Sequence, residues 1–163
     1  MGKFKKISES DPYYSNIMDM AEELGLIHYT DIYPMYLKKR PSNSIVDVAF
    51  GNDISEGVSG KDKNNTLIVA VFPDALDKLD DKSVDFILRA GMSKVQYDFD
   101  KDKLIIDKHG LLTVYQPLCE KYGSKFCCDM AELEMHTLDI LQQEEKERKA
   151  AEKEAKKAKK KKD

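Results

Sequence analysis

Apolar residues near the start of the chain recur with the spacing of one helix face. Four of them lie at positions i, i+3, i+4 and i+7: Ile17, Met20, Ala21 and Leu24. The pattern predicts an amphipathic helix over residues 13–24. Asp11 is the preferred N-cap, with Ser10 as the alternative, and Pro12 suits the first helical position. Gly25 is well placed to end the helix.

Two short apolar runs predict strands. Residues 45–50 are rich in β-branched side chains and precede a polar loop at residues 55–65. Residues 66–72, with the sequence TLIVAVF, are apolar on both alternating faces. Such a run is typical of a central strand that is buried on both sides of its sheet.

A second helix is predicted after residues 73–79, which form a short turn or helix of their own. Asp80 or Asp81 can cap this second helix, because a carboxylate accepts hydrogen bonds from the first helical amides. Its inner face carries four apolar residues: Val84, Ile87, Leu88 and Met92. Gly91 lies inside the helix, where glycine costs about 0.5–1 kcal/mol relative to alanine.

The second half of the chain predicts a hairpin and two further helices. Residues 97–107 alternate apolar and charged side chains and favour an edge hairpin. Residues 110–122 favour a third helix, kinked or interrupted by Pro117 and ended by Gly123. A last helix is expected from about Asp129. The predicted fold is α+β, a small mixed sheet with an edge hairpin, three to four helices and a long charged C-terminal helix.

Charge divides the chain into an acidic body and a basic tail. Residues 144–163 carry ten Lys/Arg and six Asp/Glu, a net charge of +4, whereas residues 1–143 carry 17 and 24, a net charge of −7. Ala, Glu and Lys favour a helix in this tail. We predict a flexible N-terminus over residues 1–11, a domain over 12–143 and a Lys-rich helical tail over 144–163.

The distribution of apolar residues and cysteines predicts a cytoplasmic protein. The basic residues at positions 1–6 precede no apolar signal sequence, and no run reaches the roughly 18–20 residues of a membrane span. Of the three cysteines, Cys127 and Cys128 are adjacent and Cys119 is left over. This spacing disfavours a disulfide framework or a zinc site and favours reduced core or surface thiols.

Residues 67–123 consist of three consecutive segments that carry a resemblance: LIVAVFPDALDKLDDKSVDFIL, RAGMSKVQYDFDKDKLIIDKHG and LLTVYQPLCEKYG. Together they resemble the phage metallopeptidase family, whose domain is zincin-like. In that family an apolar strand and a polar turn precede a helix that carries His-Glu-x-x-His. A charged hairpin, a third zinc ligand and another helix follow. The resemblance implies a zincin-like scaffold of phage origin.

The chain departs from that family at the residues that would bind zinc. Ala90, Gly91 and Lys94 occupy the His, Glu and His positions, and His109 alone matches a ligand, the third one. A register shifted by one residue substitutes Arg89, Ala90 and Ser93, which supply no ligand pair either. The His-Glu-x-x-His motif binds zinc through two histidines one helical turn apart, and a lysine at that position would repel the zinc ion. The resemblance therefore implies a pseudoenzyme without a metal cofactor.

Other patterns give weaker indications of chemistry. Asp98, Asp100 and Asp102 resemble the start of a calcium loop, but its sixth and twelfth positions are Lys103 and His109 rather than Gly and Glu, which favours a hairpin tip. His28, His109 and His136 are far apart and are expected in packing or surface roles. A Cys119–His109 nucleophile pair stays possible. Gly51, Gly57 and Gly60 do not form a phosphate loop.

These residues favour a non-catalytic, phage-derived accessory or regulatory protein that binds a host or phage protein. One alternative is a nucleic-acid-associated protein that acts through a run of tail lysines, which could attract phosphates: Lys156, Lys157, Lys159, Lys160, Lys161 and Lys162. Another is an active metallopeptidase with an unconventional site that includes His109. No membrane partner is expected.

Overall fold

The computed structural model of the chain describes residues 4–51, 66–107 and 111–160, with side chains except at 111–115 and 157–160. The fold is mixed α+β, as the sequence predicts. Four strands form one sheet in the order β1-β2-β4-β3. They are β1 (Phe4–Lys6), β2 (Asp31–Leu37), β3 (Val46–Phe50) and β4 (Thr66–Val71). The β2–β4 pair is parallel and the other two pairs are antiparallel.

Strand β4 is the centre of the hydrophobic core. It pairs with β2 on one side and β3 on the other, and all six of its residues are buried. This confirms the central, doubly covered strand that the apolar run at residues 66–72 predicts. Burial on both faces explains why the run lacks the polar alternation of a strand with one solvated face.

The structure differs from the expectation of a loose segment at residues 1–11. Phe4–Lys6 pair with Met35–Leu37 as β1, and Ile7 is 1% exposed. The pairing partner, β2, was itself not predicted. Two apolar residues at positions 4 and 7 are too few to form a periodic pattern; in the fold, Phe4 pairs with Leu37 of β2 and Ile7 is buried in the core.

Helix α1 (Pro12–Glu23) lies within one residue of the predicted range, 13–24, at both ends. The Asp11 carboxylate accepts a hydrogen bond from the Tyr13 amide at 3.0 Å, so Asp11 rather than Ser10 is the N-cap. Asp11 also accepts a hydrogen bond from the Tyr36 hydroxyl, which joins the helix start to β2. Gly25 follows with a φ of 70°, a left-handed conformation that favours glycine.

Two helices follow the central strand. The short α2 (Pro73–Leu76) corresponds to the predicted turn or helix. Helix α3 (Asp81–Met92) is capped by Asp80, whose carboxylate accepts a hydrogen bond from the Ser83 amide at 2.8 Å. The four apolar residues predicted for its inner face are all buried.

The predicted hairpin is present as β5 (Val95–Asp98) and β6 (Lys103–Ile106). These strands pair with each other and form a separate two-stranded sheet, so the hairpin does not extend the edge of the main sheet. Its connection to the rest of the fold includes ring stacking between Tyr97 and Tyr29, which precedes β2.

Two consecutive helices complete the described fold. Helix α4 (Leu111–Tyr122) continues through Pro117, so the expected interruption there is wrong, and it ends at Gly123, which has a φ of 89°. Helix α5 (Ser124–Lys160) has 37 residues and begins five residues before the predicted start. The buried thiol of Cys127 and the partly buried ring of Phe126 account for the earlier start, because both pack on the core. None of the described helices has a stretch long and apolar enough to cross a membrane.

Candidate functional site

The positions that the resemblance assigns to zinc chemistry lie in the last turn of α3 and just after it. Gly91 is buried against β3, and a Cβ at this position would lie 2.5 Å from Val46 Cγ1 and 2.7 Å from Val46 Cβ. Real Cβ atoms do not approach so closely, so the position has no room for a glutamate side chain. Gly91 therefore has a packing role, which explains a glycine inside a helix.

Ala90, Gly91 and Lys94 line a cavity of about 110 Å³ between α3, α4 and α5. Glu134 and Cys127 of α5 line it as well. The Glu134 carboxylate accepts a hydrogen bond from the Ile45 amide at 2.6 Å, just before β3 begins. This contact satisfies a backbone donor and gives Glu134 a structural role.

Arg89 and Ser93, from the shifted register, also have structural contacts. Arg89 forms an ion pair with Glu23 of α1 and donates a hydrogen bond from Nε to the Tyr122 hydroxyl at 3.0 Å. Tyr122 in turn donates to Asp85. Burial and the Asp85 hydrogen bond raise the pKa of Tyr122 to about 12. This network joins α1, α3 and α4, and the Ser93 amide completes α3 by donating to the Arg89 carbonyl.

The three cysteines are reduced, and they differ in exposure. Cys127 is 2% exposed, Cys119 is half-buried and Cys128 is exposed. Burial raises the pKa of the Cys127 thiol to about 11, and its hydrogen bond with Cys119 acts in the same direction. Cys127 is therefore protonated at neutral pH and is a poor nucleophile.

The histidines in the described part of the chain lie at the surface, one of the two roles expected for them. His28 ends the 3-10 helix Leu26–His28 and is exposed, and His136 is exposed on α5. His109 lies outside the described residues, as does any Cys119–His109 pair that includes it. Across residues 4–51, 66–107 and 111–160, no group of three His, Cys, Asp or Glu side chains is arranged to hold a metal ion.

The three aspartates at residues 98–102 form a hairpin tip, as predicted. Asp98 accepts hydrogen bonds from the amides of Asp100 and Lys101 at 3.1 and 3.2 Å and from Lys101 Nζ at 2.8 Å. Asp102 accepts a hydrogen bond from the Tyr97 hydroxyl. The carboxylates of Asp98 and Asp102 thus hold the turn and its aromatic residues in place.

An exposed aromatic surface lies at this tip, and we define it as Tyr29, Tyr97 and Phe99. The rings of Tyr29 and Tyr97 stack with centroids 4.7 Å apart and planes at 30°. Phe99 meets Tyr97 edge to face at 5.1 Å, and Phe99 is 83% exposed. Large aromatic side chains exposed side by side are typical of protein-binding surfaces.

Sequence reasoning did not identify this surface. Tyr97 and Phe99 are two residues apart in the alternating segment, so the strand pattern places them on the same face. This spacing is the signal that could have found them. Tyr29 belongs to a distant segment, and its stacking on Tyr97 depends on the fold.

A basic groove is the second candidate surface, between the end of β2 and α5. The groove is about 730 Å³, and it is lined by Lys38, Lys39, Arg40, Arg148 and Lys149. Acidic residues, Asp74, Glu144 and Glu145, line it too, and they reduce its positive charge. In the lysine run of the tail, the residues as far as Lys160 lie on α5, beyond the residues that line the groove. Lys156 is exposed; the side chains of Lys157, Lys159 and Lys160 and the whole of Lys161 and Lys162 lie outside the described part.

Comparison with protein-family models, with curated proteins and with solved structures finds no match to this chain. The resemblance of residues 67–123 to the phage metallopeptidase family therefore stays a prediction that rests on the three quoted segments.

Proposed function

We propose that this protein is a non-catalytic accessory protein that binds a partner protein through the aromatic surface of Tyr29, Tyr97 and Phe99. The observation that carries the proposal is the 83% exposure of Phe99 beside a stacked tyrosine pair. An exposed phenyl ring at a hairpin tip contributes little to the stability of its own fold. Its contribution to a complex is larger, because binding removes the ring from water.

The residues around the zinc positions of the resemblance support the non-catalytic part. Gly91 is packed on Val46, Glu134 is hydrogen-bonded to the Ile45 amide, and the Cys127 thiol is buried, which raises its pKa further above neutral pH. Each of these groups has a structural role or is unreactive. A chelator-sensitive peptidase activity of the purified protein would contradict this part of the proposal.

Comparative co-purification tests the binding part. The tagged wild type, a Phe99→Ala variant and an Ile140→Ala control are captured with nuclease present, and stoichiometric partners are identified by mass spectrometry. Ile140 is an exposed apolar residue of α5, which packs on α2 beyond the C-terminal end of β4. Tyr29 lies just before the N-terminal end of β2, where Asp31 pairs with Thr66, the first residue of β4. Tyr29 and Ile140 are therefore near opposite ends of the sheet.

We expect a partner that the wild type and Ile140→Ala retain and Phe99→Ala loses. Because Phe99 is so exposed, its substitution should leave the thermal midpoint nearly unchanged. A protein captured equally by all three forms would not depend on the aromatic surface. If every stoichiometric partner behaved in that way, the proposal would be wrong.

A second candidate function is association with nucleic acid, favoured by the basic groove. Lys38, Lys39 and Arg40 face the same groove as Arg148 and Lys149, so positive charge extends from the tail onto the body. Deleting residues 156–163 and measuring DNA binding at low and moderate salt tests this candidate. Salt-sensitive binding that the deletion weakens is expected if the tail contacts phosphates. Unchanged binding would exclude that role of the tail.

A further inference from the structure

We infer that the aromatic surface binds a positively charged, arginine-bearing segment of the partner protein. This inference rests on the proposed function, and it adds the chemistry of the partner. It combines the stacked rings at the hairpin tip with the charges that surround them.

The rings offer π-faces at the protein surface. Tyr29 is 50% exposed and stacks on Tyr97, while Phe99 presents most of its ring to solvent. The Tyr97 hydroxyl donates to Asp102, which fixes the ring and raises the pKa of Tyr97, so the phenol stays neutral. Aromatic faces carry a negative quadrupole that attracts cations, and the planar guanidinium group of arginine also stacks on them.

The charges near the rings favour the same ligand. Residues 27–33 and 95–107, which carry the rings, contain five aspartates and two lysines, a net charge of −3. Lys101 is paired with Asp98 at 2.8 Å, so it neutralises a carboxylate of its own turn. Asp31 and Asp100 are exposed on these two segments. The net negative charge of these two segments favours a guanidinium group at the rings, whereas a nucleic-acid phosphate would be repelled.

The acidic groove between α1 and α3 is the principal competing site for a cation. It is about 570 Å³ and is lined by four carboxylates: Asp19, Glu23, Asp81 and Asp85. Glu23 and Asp85 are engaged with Arg89 and Tyr122. The groove offers charge without an aromatic ring among its lining residues, so the location of binding separates the two sites.

The experiment uses the full chain, labelled with ¹⁵N, and two capped peptides of equal length, tri-arginine and tri-citrulline. Citrulline keeps the shape of arginine and removes its charge. We expect tri-arginine to shift the amide resonances of residues 29 and 96–103, and tri-citrulline to shift them far less. Phe99→Leu keeps an apolar side chain without the ring, and it should weaken tri-arginine binding by about two- to fivefold.

Asp100→Asn should also weaken tri-arginine binding. Asp139→Asn, which removes the charge of an exposed aspartate on α5, is the matched control and should leave tri-arginine binding unchanged. Shifts centred on the acidic groove instead of the hairpin tip would overturn the inference. Equal binding of tri-citrulline, or full binding by Phe99→Leu, would overturn it as well.

The two proposals fail separately. If Phe99→Ala loses a partner in co-purification but tri-arginine does not bind the hairpin tip, the aromatic surface binds a partner of another chemistry. If no partner depends on Phe99, the proposed function itself is wrong.

Discussion

Gly91 shows how a single missing Cβ can be required by packing. In an exposed helix, replacing glycine by alanine would stabilise by about 0.5–1 kcal/mol. At position 91 the new methyl group would lie 2.7 Å from Val46 Cβ, an atom that no side-chain rotation can move away. We therefore predict that Gly91→Ala lowers the free energy of unfolding by about 1–3 kcal/mol, the usual cost of overpacking. Urea unfolding measures this change.

Ala90→Gly is the comparison for Gly91→Ala, because it changes helix propensity at the neighbouring position of α3 without adding an atom. It should cost about 0.5–1 kcal/mol. An increase in stability for Gly91→Ala would mean that β3 moves aside without cost, and it would remove the packing explanation for this glycine.

The buried thiol of Cys127 should make the folded protein less stable at alkaline pH. Its thiol has a pKa of about 11 in the folded protein against 9.0 for an ordinary thiol, because burial disfavours the thiolate. Between these values the unfolded chain releases a proton that the folded chain retains. Stability from this group is therefore complete below pH 9 and is lost as the pH rises through about 11. Urea unfolding between pH 7 and 11 measures the loss.

Cys127→Ala should show a shallower decline of stability with pH than the wild type. Cys128→Ala is the matched control, since Cys128 is exposed and adjacent, and its decline should follow the wild type. Equal slopes for all three proteins would show that the buried thiol does not govern stability in this range.

Asp11 connects two elements, because its carboxylate caps α1 and accepts a hydrogen bond from the Tyr36 hydroxyl of β2. Burial and the Asp11 bond raise the pKa of Tyr36, so this phenol remains a donor at alkaline pH. We predict that Asp11→Ala destabilises the protein by about 1–3 kcal/mol through the lost cap and the lost side-chain bond. Thermal and urea unfolding measure this loss.

Ser10→Ala separates the cap from a general effect of substitutions in this turn. The Ser10 hydroxyl contacts Ser8, which is also exposed, and does not cap α1, so the variant should be nearly neutral. A larger loss for Ser10→Ala than for Asp11→Ala would show that Asp11 is not the residue that caps α1.

The elements with local signals were predictable, and those without them were not. Asp11, Gly25, Asp80 and Gly123 set helix ends by chemistry that lies within a few residues of each end. Strand β2 was missed, since it contains Pro34, and proline disfavours an internal strand. Its pairing with β1 includes residues 35–37 alone, so Pro34 lies beyond that pairing.

The same limit applies to the candidate site. The sequence indicated that the positions of the zinc motif lack ligands, but not that Gly91 packs on Val46 or that Tyr29 stacks on Tyr97. These contacts join residues 45 and 68 positions apart. Glu134 carried a detectable signal, because it lies between Met130 and Leu138 on the buried stripe of α5. A carboxylate at such a position needs a partner, which is the Ile45 amide.

At the scale of the whole molecule, α5 belongs to two regions. Its first half contributes Cys127, Met130 and Leu138 to the core, whereas residues 146–156 are exposed. Just before that exposed stretch, α5 contacts the body through Lys78–Glu144 at 2.9 Å and Arg40–Glu145 at 4.0 Å. Ion pairs between exposed side chains contribute about 0–1 kcal/mol each. In the described part of the chain, the last α5 residue that packs on the core is Leu141. The boundary at residue 143 stays a prediction.

We predict that a chain ending at residue 143 keeps the fold and loses about 1 kcal/mol or less of stability, because the ion pairs with the body that it removes are weak. Urea unfolding of the shortened and full chains measures the difference. Lys78→Ala in the full chain is the control, since it removes one of the pairs without shortening α5. If the shortened chain were much less stable than this control, the charged half of α5 would be part of the folded domain, and the boundary would lie nearer the C-terminus.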